Sequence, residues 1–279
     1  MPELPEVETT RRGIAPYLLQ QAIVGAVVRE TRLRLSLAAS EAGALSGYTV
    51  TAVARRAKYL LLALDQENYT PLTLLIHLGM SGSLRICEPD TVAGKHDHID
   101  LQLGNHKLLR YHDPRRFGGM RLCHGNLSEV LQLPPLAQLG PEPLQEAFNA
   151  DSLRAQCRGR QRSIKSLIMD QQQLVGVGNI YACEALFLAG IRPRRLAANL
   201  AKGEVQRLVT AIKTVLQRAI DAGGTTLRDF VGGDGQPGYF SQQLHVYGRT
   251  AMPCLTCQTT IKKYVSGGRS GFYCPKCQR

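Results

Sequence analysis

The first residues of the chain, Met1-Pro2-Glu3-Leu4-Pro5-Glu6, have side chains and spacing suited to amine catalysis. If Met1 is removed, as is usual before a small second residue, Pro2 becomes a free secondary amine. Attack of that amine on a sugar aldehyde or hemiacetal carbon gives an iminium with no N–H to lose, so the adduct stays positively charged and withdraws electrons. Glu3 is the adjacent candidate for carrying protons.

The same segment has a simpler interpretation as the start of a helix. Pro5 suits the first helical position, and Glu6 and Glu8 lie where carboxylates interact favourably with the helix dipole. This interpretation explains Pro5, Glu6 and Glu8 but leaves Pro2 and Glu3 without a role. These residues alone leave both interpretations open.

Four cysteines near the end of the chain predict a zinc site. Cys254-x2-Cys257 and Cys274-x2-Cys277 are separated by sixteen residues, so two close pairs offer four thiolates to one tetrahedral ion. The segment has few large apolar residues and must take its folding energy from the metal. Four sulfur ligands leave no open position, which favours a structural Zn2+ ion. Two strands around Gly267-Gly268 are expected between the pairs, with Arg269 presented just after the turn.

The charge of the chain indicates a polyanionic partner. Lys and Arg number 34 against 22 Asp and Glu, a net charge of +12 with a pI near 9.5. The excess is localised, because five basic residues and no acid lie between Asp151 and Asp170, and no acid follows Asp234. Nucleic acid is therefore the first candidate partner.

The sequence also bounds where the protein works. It has no basic-then-apolar signal segment, and its longest apolar runs are too short to span a bilayer, so we expect a cytoplasmic protein located with the DNA. Eight cysteines in a reducing compartment indicate metal binding or packing and not disulfides. The cysteines without pair spacing are expected to be packing residues: Cys87, Cys123, Cys157 and Cys183.

The elements that must position these residues follow from the apolar pattern. Several short strands favour an antiparallel sandwich or barrel in the first half, and Leu4, Val7, Ile14 and Leu18 can form one face of a preceding helix. The period becomes helical beyond a Pro- and Gly-rich linker. Strands are expected at 22–28, 49–53, 59–64, 72–76, 83–86, 99–103 and 107–111. Helices are expected at 163–170, 179–189 and 202–222, and before Arg154.

Seven motifs, in one order along the whole chain, resemble those of bacterial formamidopyrimidine-DNA glycosylases. Seven matches in the family's order are far more specific than any one alone. The motifs are residues 2–9, Arg56-Ala57-Lys58-Tyr59-Leu60, His77-Leu78-Gly79-Met80-Ser81-Gly82, Lys95-His96-Asp97-His98, Asp113-Pro114-Arg115-Arg116-Phe117-Gly118, Gly178-Asn179-Ile180-Tyr181 and the cysteine finger.

The resemblance implies an α+β fold of three domains. Residues 1–132 would form an N-terminal antiparallel β-sandwich with the opening helix. Residues 133–244 would form a helical helix-two-turn-helix domain with a lesion-capping loop, and residues 245–279 a β-hairpin zinc finger. The implied function is base-excision repair, in which a monomer binds double-stranded DNA with oxidised bases or abasic sites. It would remove 8-oxoguanine and formamidopyrimidines and cleave the strand by β,δ-elimination.

The resemblance also assigns the chemical steps. Pro2 would attack C1′ of the damaged nucleotide and form a Schiff base, while Glu3 would shuttle protons during ring opening and iminium turnover. Lys58 would assist proton transfer in β-elimination and hold a phosphate. Arg269 would grip the phosphates that flank the lesion and act in the δ step.

Met80, Arg115 and Phe117 match the family residues that fill the gap left by a flipped base. Chemistry at a sugar under a stacked base requires that base to leave the duplex. Met and Phe can insert between base steps, and Arg offers forked donors to the orphaned cytosine. Taken alone, Met80 and Phe117 are more typical of a core and Arg115 of a solvated surface, but their Gly and polar neighbours favour loop tips.

Further matches concern the DNA backbone. His96, Arg116 and Asn179 match backbone-contacting positions, with a plain helix N-cap as the alternative for Asn179. Arg160 and Arg162 keep the positive charge of a segment in which relatives can carry a phosphate-contacting lysine, here Gln161.

A lesion pocket is implied by the segment that begins Gly223-Gly224-Thr225-Thr226. Its amides, with Thr225 and Thr226, would read the oxidised edge of the base, and Glu6 would contribute. Loop flexibility is the alternative explanation of the glycines.

Two other functions stay open. Endonuclease VIII shares the fold, proline chemistry and finger but prefers oxidised pyrimidines, whereas Leu4 and the set Met80, Arg115 and Phe117 favour the purine enzyme. A non-catalytic zinc-finger DNA-binding protein would use the same positive charge but would have no use for Pro2.

Overall fold

The computed structural model describes residues 2–224 and 244–279, which form two compact units. The first unit contains residues 2–137 with 222–224, and the second contains residues 138–221 with 244–279. The change of unit after residue 137 falls inside the predicted linker, and the cysteine finger groups with the helices. The division into three domains stays a prediction.

Within the described residues, the first unit holds two four-stranded antiparallel sheets. One has the order β1-β6-β7-β5 and the other β2-β3-β4-β8. The strands are β1 (Ile23–Val28), β2 (Thr49–Arg56), β3 (Tyr59–Asp65), β4 (Leu72–His77), β5 (Ser83–Cys87), β6 (Asp97–Leu103), β7 (Leu108–His112) and β8 (Gly119–His124). The predicted antiparallel sandwich is confirmed. The strand β8 was not predicted; it begins at Gly119, directly after Gly118 at the end of the preceding loop.

Both sheets and the opening helix α1 (Leu4–Leu18) contribute to one apolar core. The predicted helix face is confirmed, since Leu4, Val7, Ile14 and Leu18 are all buried. Burial of four such side chains anchors α1 against the sheets, at roughly 1.5–3 kcal/mol for each fully buried side chain. The core therefore fixes the place at which the N-terminal residues enter the fold. Two short helices complete the unit: α2 (Ala39–Gly43) and α3 (Leu127–Leu131).

The second unit contains the helices and the finger hairpin. Its helices are α4 (Ala150–Cys157), α5 (Ile164–Ile168), α6 (Asn179–Leu188) and α7 (Lys202–Asp221), and its hairpin strands are β9 (Lys262–Ser266) and β10 (Arg269–Tyr273). The predicted helices and hairpin are confirmed, except that the helix expected before Arg154 contains this residue and continues to Cys157. The apolar stripe of α7 is buried, and α6 and the finger share a small core that includes Cys183, Ile261 and Phe272. Among residues 2–224 and 244–279, none of the helices combines the length and the hydropathy of a membrane span.

Candidate functional site

The start of α1 holds the first candidate catalytic residues. Pro2 and Glu3 are both buried. The backbone N–H of Glu3 donates a hydrogen bond to Glu6 Oε2 at 2.8 Å, and Val7 N–H donates to the Glu3 carbonyl at 3.1 Å. The Glu6 carboxylate thus caps the helix and holds the backbone beside Pro2. The helix-start interpretation is correct except that α1 begins at Leu4, so Pro5 is the second helical residue and not the first. This interpretation does not compete with the catalytic one.

Glu6 also lies against the beginning of the predicted lesion-capping segment. A Cβ built on Gly224, whose φ is +83°, would lie 3.4 Å from Glu6 Cγ. Glycine therefore suits both the backbone conformation and the close approach at this position. Thr225 and Thr226 lie outside the described residues, so their assignment to a lesion pocket stays a prediction.

Lys58 lies in the two-residue turn that joins β2 to β3. Ala57, the other residue of the turn, has φ 55°, a left-handed conformation that costs a non-glycine residue roughly 1 kcal/mol. Arg55 stabilises the turn, because its Nη1 donates to the Ala57 carbonyl at 3.0 Å and its Nε donates to Glu8 Oε2 at 3.1 Å. The turn that carries Lys58 is therefore tied to α1.

Glu8 is the anchor of this connection, whereas the sequence pattern indicated only an interaction of Glu8 with the helix dipole. Burial raises the pKa of Glu8, but hydrogen bonds from Arg11, Arg12 and Arg55 outweigh burial and lower that pKa to about 2. Glu8 is consequently a carboxylate throughout the physiological pH range. It joins the middle of α1 to the arginine beside the Lys58 turn.

Met80, Arg115 and Phe117 all lie in loops. Met80 is half-buried in the turn between β4 and β5, and the Phe117 side chain is 47% exposed in the loop between β7 and β8. The Arg115 guanidinium lies 5.0 Å from the centre of the Phe117 ring. A Cβ on Gly79 would approach the Phe117 carbonyl carbon to 2.4 Å, so the backbones of the two loops are in contact. The core interpretation of Phe117 is wrong.

His77, at the end of β4, supports the Met80 turn. The N–H of Gly79 donates to His77 Nδ1 at 2.9 Å, and the imidazole packs on Tyr59 with ring centres 4.8 Å apart. Burial lowers the pKa of His77 to about 4, and the positive charges of Arg34 and Lys58 act in the same direction. The imidazole is therefore neutral at physiological pH and keeps an unprotonated Nδ1 for the turn.

The two predicted backbone-contacting residues of the first unit differ in their surroundings. His96 is half-buried, with its ring centre 6.4 Å from that of His98 and 6.0 Å from that of His112. Arg116 is exposed and pairs with Glu30, with Nη1 2.9 Å from Oε2. The structure places both near the surface, and their contacts with DNA stay predictions.

In the second unit, two side chains converge on one carbonyl of the finger. Asn179 Nδ2 donates to the Ser270 carbonyl at 2.9 Å, and Lys165 Nζ donates to the same oxygen at 3.2 Å. Lys165 is buried and lies 5.6 Å from the centre of the Tyr264 ring. Ser270 follows the exposed Arg269, so this pair of donors holds the backbone next to Arg269. Lys165 was counted only as part of a basic run in the sequence.

The N-cap interpretation of Asn179 is wrong. Gly178 occupies the N-cap position of α6, Asn179 is the first helical residue, and its amide donates to Ser270. Within residues 2–224 and 244–279, Asn179 Oδ1 is buried without a hydrogen-bond partner. The two arginines of the basic segment before α5 differ in their surroundings. Arg160 is exposed, whereas Arg162 forms an ion pair with Asp170, with Nη1 2.8 Å from Oδ2.

The four predicted zinc ligands are brought together. The Sγ atoms of Cys254, Cys257, Cys274 and Cys277 all lie within 4.8 Å of one another, with the Cys254 and Cys277 sulfurs 3.9 Å apart and the Cys257 and Cys274 sulfurs 3.4 Å apart. Tetrahedral zinc with Zn–S bonds of about 2.3 Å requires sulfur separations of about 3.8 Å, so the site fits the ion. When bound, the ion would join the two cysteine pairs and hold the hairpin between them.

A buried carboxylate holds the chain as it enters the finger. The N–H groups of His245, Val246 and Tyr247 donate to the Glu184 carboxylate at 2.8, 3.0 and 2.8 Å. Glu184 lies on α6 and is buried. A lone acidic residue in an apolar helix was the only trace of this anchor in the sequence.

Three family models match the chain in succession. They are the formamidopyrimidine-DNA glycosylase N-terminal domain at residues 1–120, the formamidopyrimidine-DNA glycosylase H2TH domain at 139–231, and a zinc finger found in FPG and IleRS at 253–279. The formamidopyrimidine-DNA glycosylase of Thioalkalivibrio sulfidiphilus is 54% identical over 279 residues, which are 100% of both chains.

Solved structures agree over the same length. The MutM (Fpg) protein of Thermus thermophilus has a TM-score of 0.86 and 38% identity, covering 99% of this chain and 98% of that one. The Lactococcus lactis protein, 32% identical, covers at least 99% of both chains. A variant of that protein was solved with DNA containing Fapy-dG (TM-score 0.91). Other structures of it contain DNA with an abasic site (TM-score 0.90) or with an oxidised pyrimidine (TM-score 0.89).

Proposed function

The chain belongs to the formamidopyrimidine-DNA glycosylase family of base-excision repair enzymes, and from this premise we propose that it is a bifunctional glycosylase and AP lyase. Its substrates are 8-oxoguanine and formamidopyrimidines in double-stranded DNA. It acts as a monomer at the bacterial nucleoid. The observation that carries the proposal is the Pro2-Glu3 pair at a capped helix start, within a family match that spans the chain.

The first chemical step forms a bond between the Pro2 nitrogen and C1′ of the damaged nucleotide. The C1′–N bond to the base breaks, the base leaves with the electron pair, and Glu3 carries protons as the sugar ring opens to the iminium. Burial of Pro2 and Glu3 supports this role, because charge shifts are stabilised more strongly by fixed groups in a site with little water.

Strand cleavage follows from the iminium. Loss of a C2′ proton lets the C3′–O bond break in β-elimination, and Lys58 assists this proton transfer while holding a phosphate. Arg269 grips the phosphates flanking the lesion and acts in the second elimination, in which loss of the C4′ proton lets the C5′–O bond to the 5′ phosphate break. Hydrolysis of the remaining iminium returns Pro2 to a free amine. The exposed position of Arg269 on a hairpin held by Asn179 and Lys165 supports phosphate binding.

Binding depends on extrusion of the damaged base. Met80 and Phe117 enter the vacated stack and Arg115 donates to the opposite cytosine, as the exposed Phe117 ring and the adjacent guanidinium permit. His96, Arg116, Arg160, Arg162 and Asn179 contact the backbone, and Glu6, Thr225 and Thr226 line the lesion pocket.

Borohydride trapping tests the covalent step. Wild-type protein should give a covalent adduct with a duplex containing 8-oxoguanine opposite cytosine, and Pro2→Gly and a form that retains Met1 should give none. Pro5→Ala, at the first turn of the same helix, is the matched control and should still be trapped. Incision by the Met1-retaining form would overturn the proposal.

A second substrate class has one observation in its favour. The Lactococcus lactis relative was solved with DNA containing an oxidised pyrimidine. Paired single-turnover assays on 8-oxoguanine and thymine glycol duplexes decide between the classes. Faster excision of thymine glycol would assign the endonuclease VIII preference to this chain.

A further inference from the structure

Asp113 opens the loop that carries Arg115 and Phe117, and its side chain is fully buried. We propose that Asp113 is a positioning residue that joins the wedge loops, residues 78–82 and 113–118, into one rigid body. Met80, Arg115 and Phe117 would then enter the duplex together. The inference rests on the proposed function, because it assumes that these side chains replace an extruded base.

The Asp113 carboxylate accepts hydrogen bonds from both wedge loops. Ser81 Oγ donates to Oδ1 at 2.6 Å, and Arg115 N–H donates to the same oxygen at 3.2 Å. Tyr111 O–H and Gly118 N–H each donate to Oδ2 at 3.0 Å. One carboxylate thus links the Met80 turn, both ends of the Arg115–Phe117 segment and the strand β7.

The backbones around this carboxylate leave no room for the loops to slide. A Cβ on Gly118 would lie 2.1 Å from the His77 carbonyl oxygen, and a Cβ on Gly79 would lie 2.4 Å from the Phe117 carbonyl carbon. Contacts this short require glycine at both positions. The loops therefore touch through their backbones at the place where Asp113 links them.

Asp113 is suited to support the wedge without touching DNA. It is fully buried, whereas Phe117 is 47% exposed at the other end of the same loop. Separating stacked bases costs free energy, so the stack pushes back on the inserted side chains. Wedge loops with a flexible backbone would be displaced by this force. A carboxylate with four donors resists that displacement because each hydrogen bond to a charged group is stronger than a neutral one.

Asp100 offers a matched control in the same unit. It is a buried carboxylate of β6 that pairs with Arg110 at 2.8 Å and Arg29 at 2.6 Å, and these partners lie outside the wedge loops. Asp100→Asn and Asp113→Asn make the same chemical change at similar depth. Only Asp113→Asn replaces a carboxylate oxygen that accepts hydrogen bonds from the wedge loops with an NH2 group, which donates.

Stopped-flow fluorescence of 2-aminopurine placed beside 8-oxoguanine tests the inference. We expect Asp113→Asn to slow base extrusion and single-turnover 8-oxoguanine excision about tenfold, which corresponds to the loss of one hydrogen bond to a charged group. Incision of a preformed abasic site should change much less. Asp100→Asn should extrude the base at the wild-type rate even if its Tm falls. Extrusion at the wild-type rate by Asp113→Asn would overturn the inference.

Ser81→Ala decides the question if Asp113→Asn does not fold. It removes the hydrogen bond from the Met80 turn to Asp113 and the 3.2 Å hydrogen bond from Arg115 N–H to Ser81 Oγ, and it should slow extrusion in a protein whose Tm is close to that of the wild type. Unchanged extrusion would overturn the inference. A wild-type protein that leaves 8-oxoguanine intact would instead overturn the proposed function, so the two failures are distinguishable.

Discussion

The wedge loops of the first unit and the finger hairpin of the second unit both carry exposed side chains next to a buried polar group. They differ in what stabilises that polar group. Asp113 collects its donors at the edge of a large sandwich core. The Ser270 carbonyl is held by Asn179 and Lys165 beside a small core that contains two of the cysteine ligands. The wedge loops are therefore held by hydrogen bonds on a packed sandwich core, whereas the finger of the second unit depends on a metal ion.

Removal of zinc should have the largest effect, because it should disrupt the finger of the second unit and leave the first unit folded. Chelation should unfold the finger, because zinc supplies about 10–16 kcal/mol to such small sites, and should release Arg269 and abolish DNA binding. The β-sheet circular dichroism of the first unit should persist. Full incision after verified zinc loss would show that the finger holds its hairpin without the ion.

Lys165→Met should have the next largest effect. The substitution removes a buried ammonium that donates to Ser270, and hydrogen bonds to charged groups contribute about 1.5–3 kcal/mol, so strand cleavage should fall about tenfold. Zinc content, measured by mass spectrometry, should not change. Lys202→Met, at an exposed helix start, is the control. Wild-type strand cleavage by the double variant Lys165→Met, Asn179→Ala would show that these hydrogen bonds to the Ser270 carbonyl do not position Arg269.

Glu8→Gln tests the ionic anchor of the Lys58 turn. The folded pKa of Glu8 is about 2, below the ordinary value of 4.5, so its stabilisation is present above pH 4.5 and is lost as pH falls towards 2. In urea unfolding, the free energy of unfolding of Glu8→Gln should be lower than that of the wild type by on the order of 2 kcal/mol at pH 7, and the difference should shrink in acid. Exposed Glu67→Gln should be neutral. A loss that does not depend on pH would point to packing instead of charge.

The smallest expected effect compares two turns with the same backbone conformation. Ala57 has φ 55° and Gly267 in the finger has φ 54°. Gly267→Ala should destabilise the finger by about 1 kcal/mol, since nothing lies within 4 Å of the added methyl and only the conformation matters. Ala57→Gly relieves a similar strain but loses a buried methyl of about 0.8 kcal/mol, so it should be nearly neutral. Thermal unfolding of both variants checks the difference.

Much of the fold and of the candidate site follows from local patterns. Strand and helix periodicity depend on neighbours a few residues apart, so the elements that carry Lys58 and Asn179 were predicted. The cysteine pairs are likewise local, because each pair spans one tight turn and the four sulfurs have one common ligand chemistry. The exposure of Phe117 was indicated by its polar and glycine neighbours.

The anchors of the site were not visible in those patterns. Asp113 and Ser81 are 32 residues apart, and Lys165 and Asn179 reach Ser270 across 105 and 91 residues. A lone Asp, Ser or Lys is compatible with many partners, and only the packed structure selects one. The same is true of Glu8 and Glu184, whose partners are brought to them by other elements.

The sequence by itself determined which residues have the reactive groups: the amine precursor Pro2, the carboxylate of Glu3 and the four thiols. Those properties belong to each side chain and its nearest neighbours in the chain. The tertiary structure decided which buried polar groups hold the wedge loops and the finger, because a hydrogen bond between distant residues exists only when the core brings donor and acceptor within about 3 Å of each other.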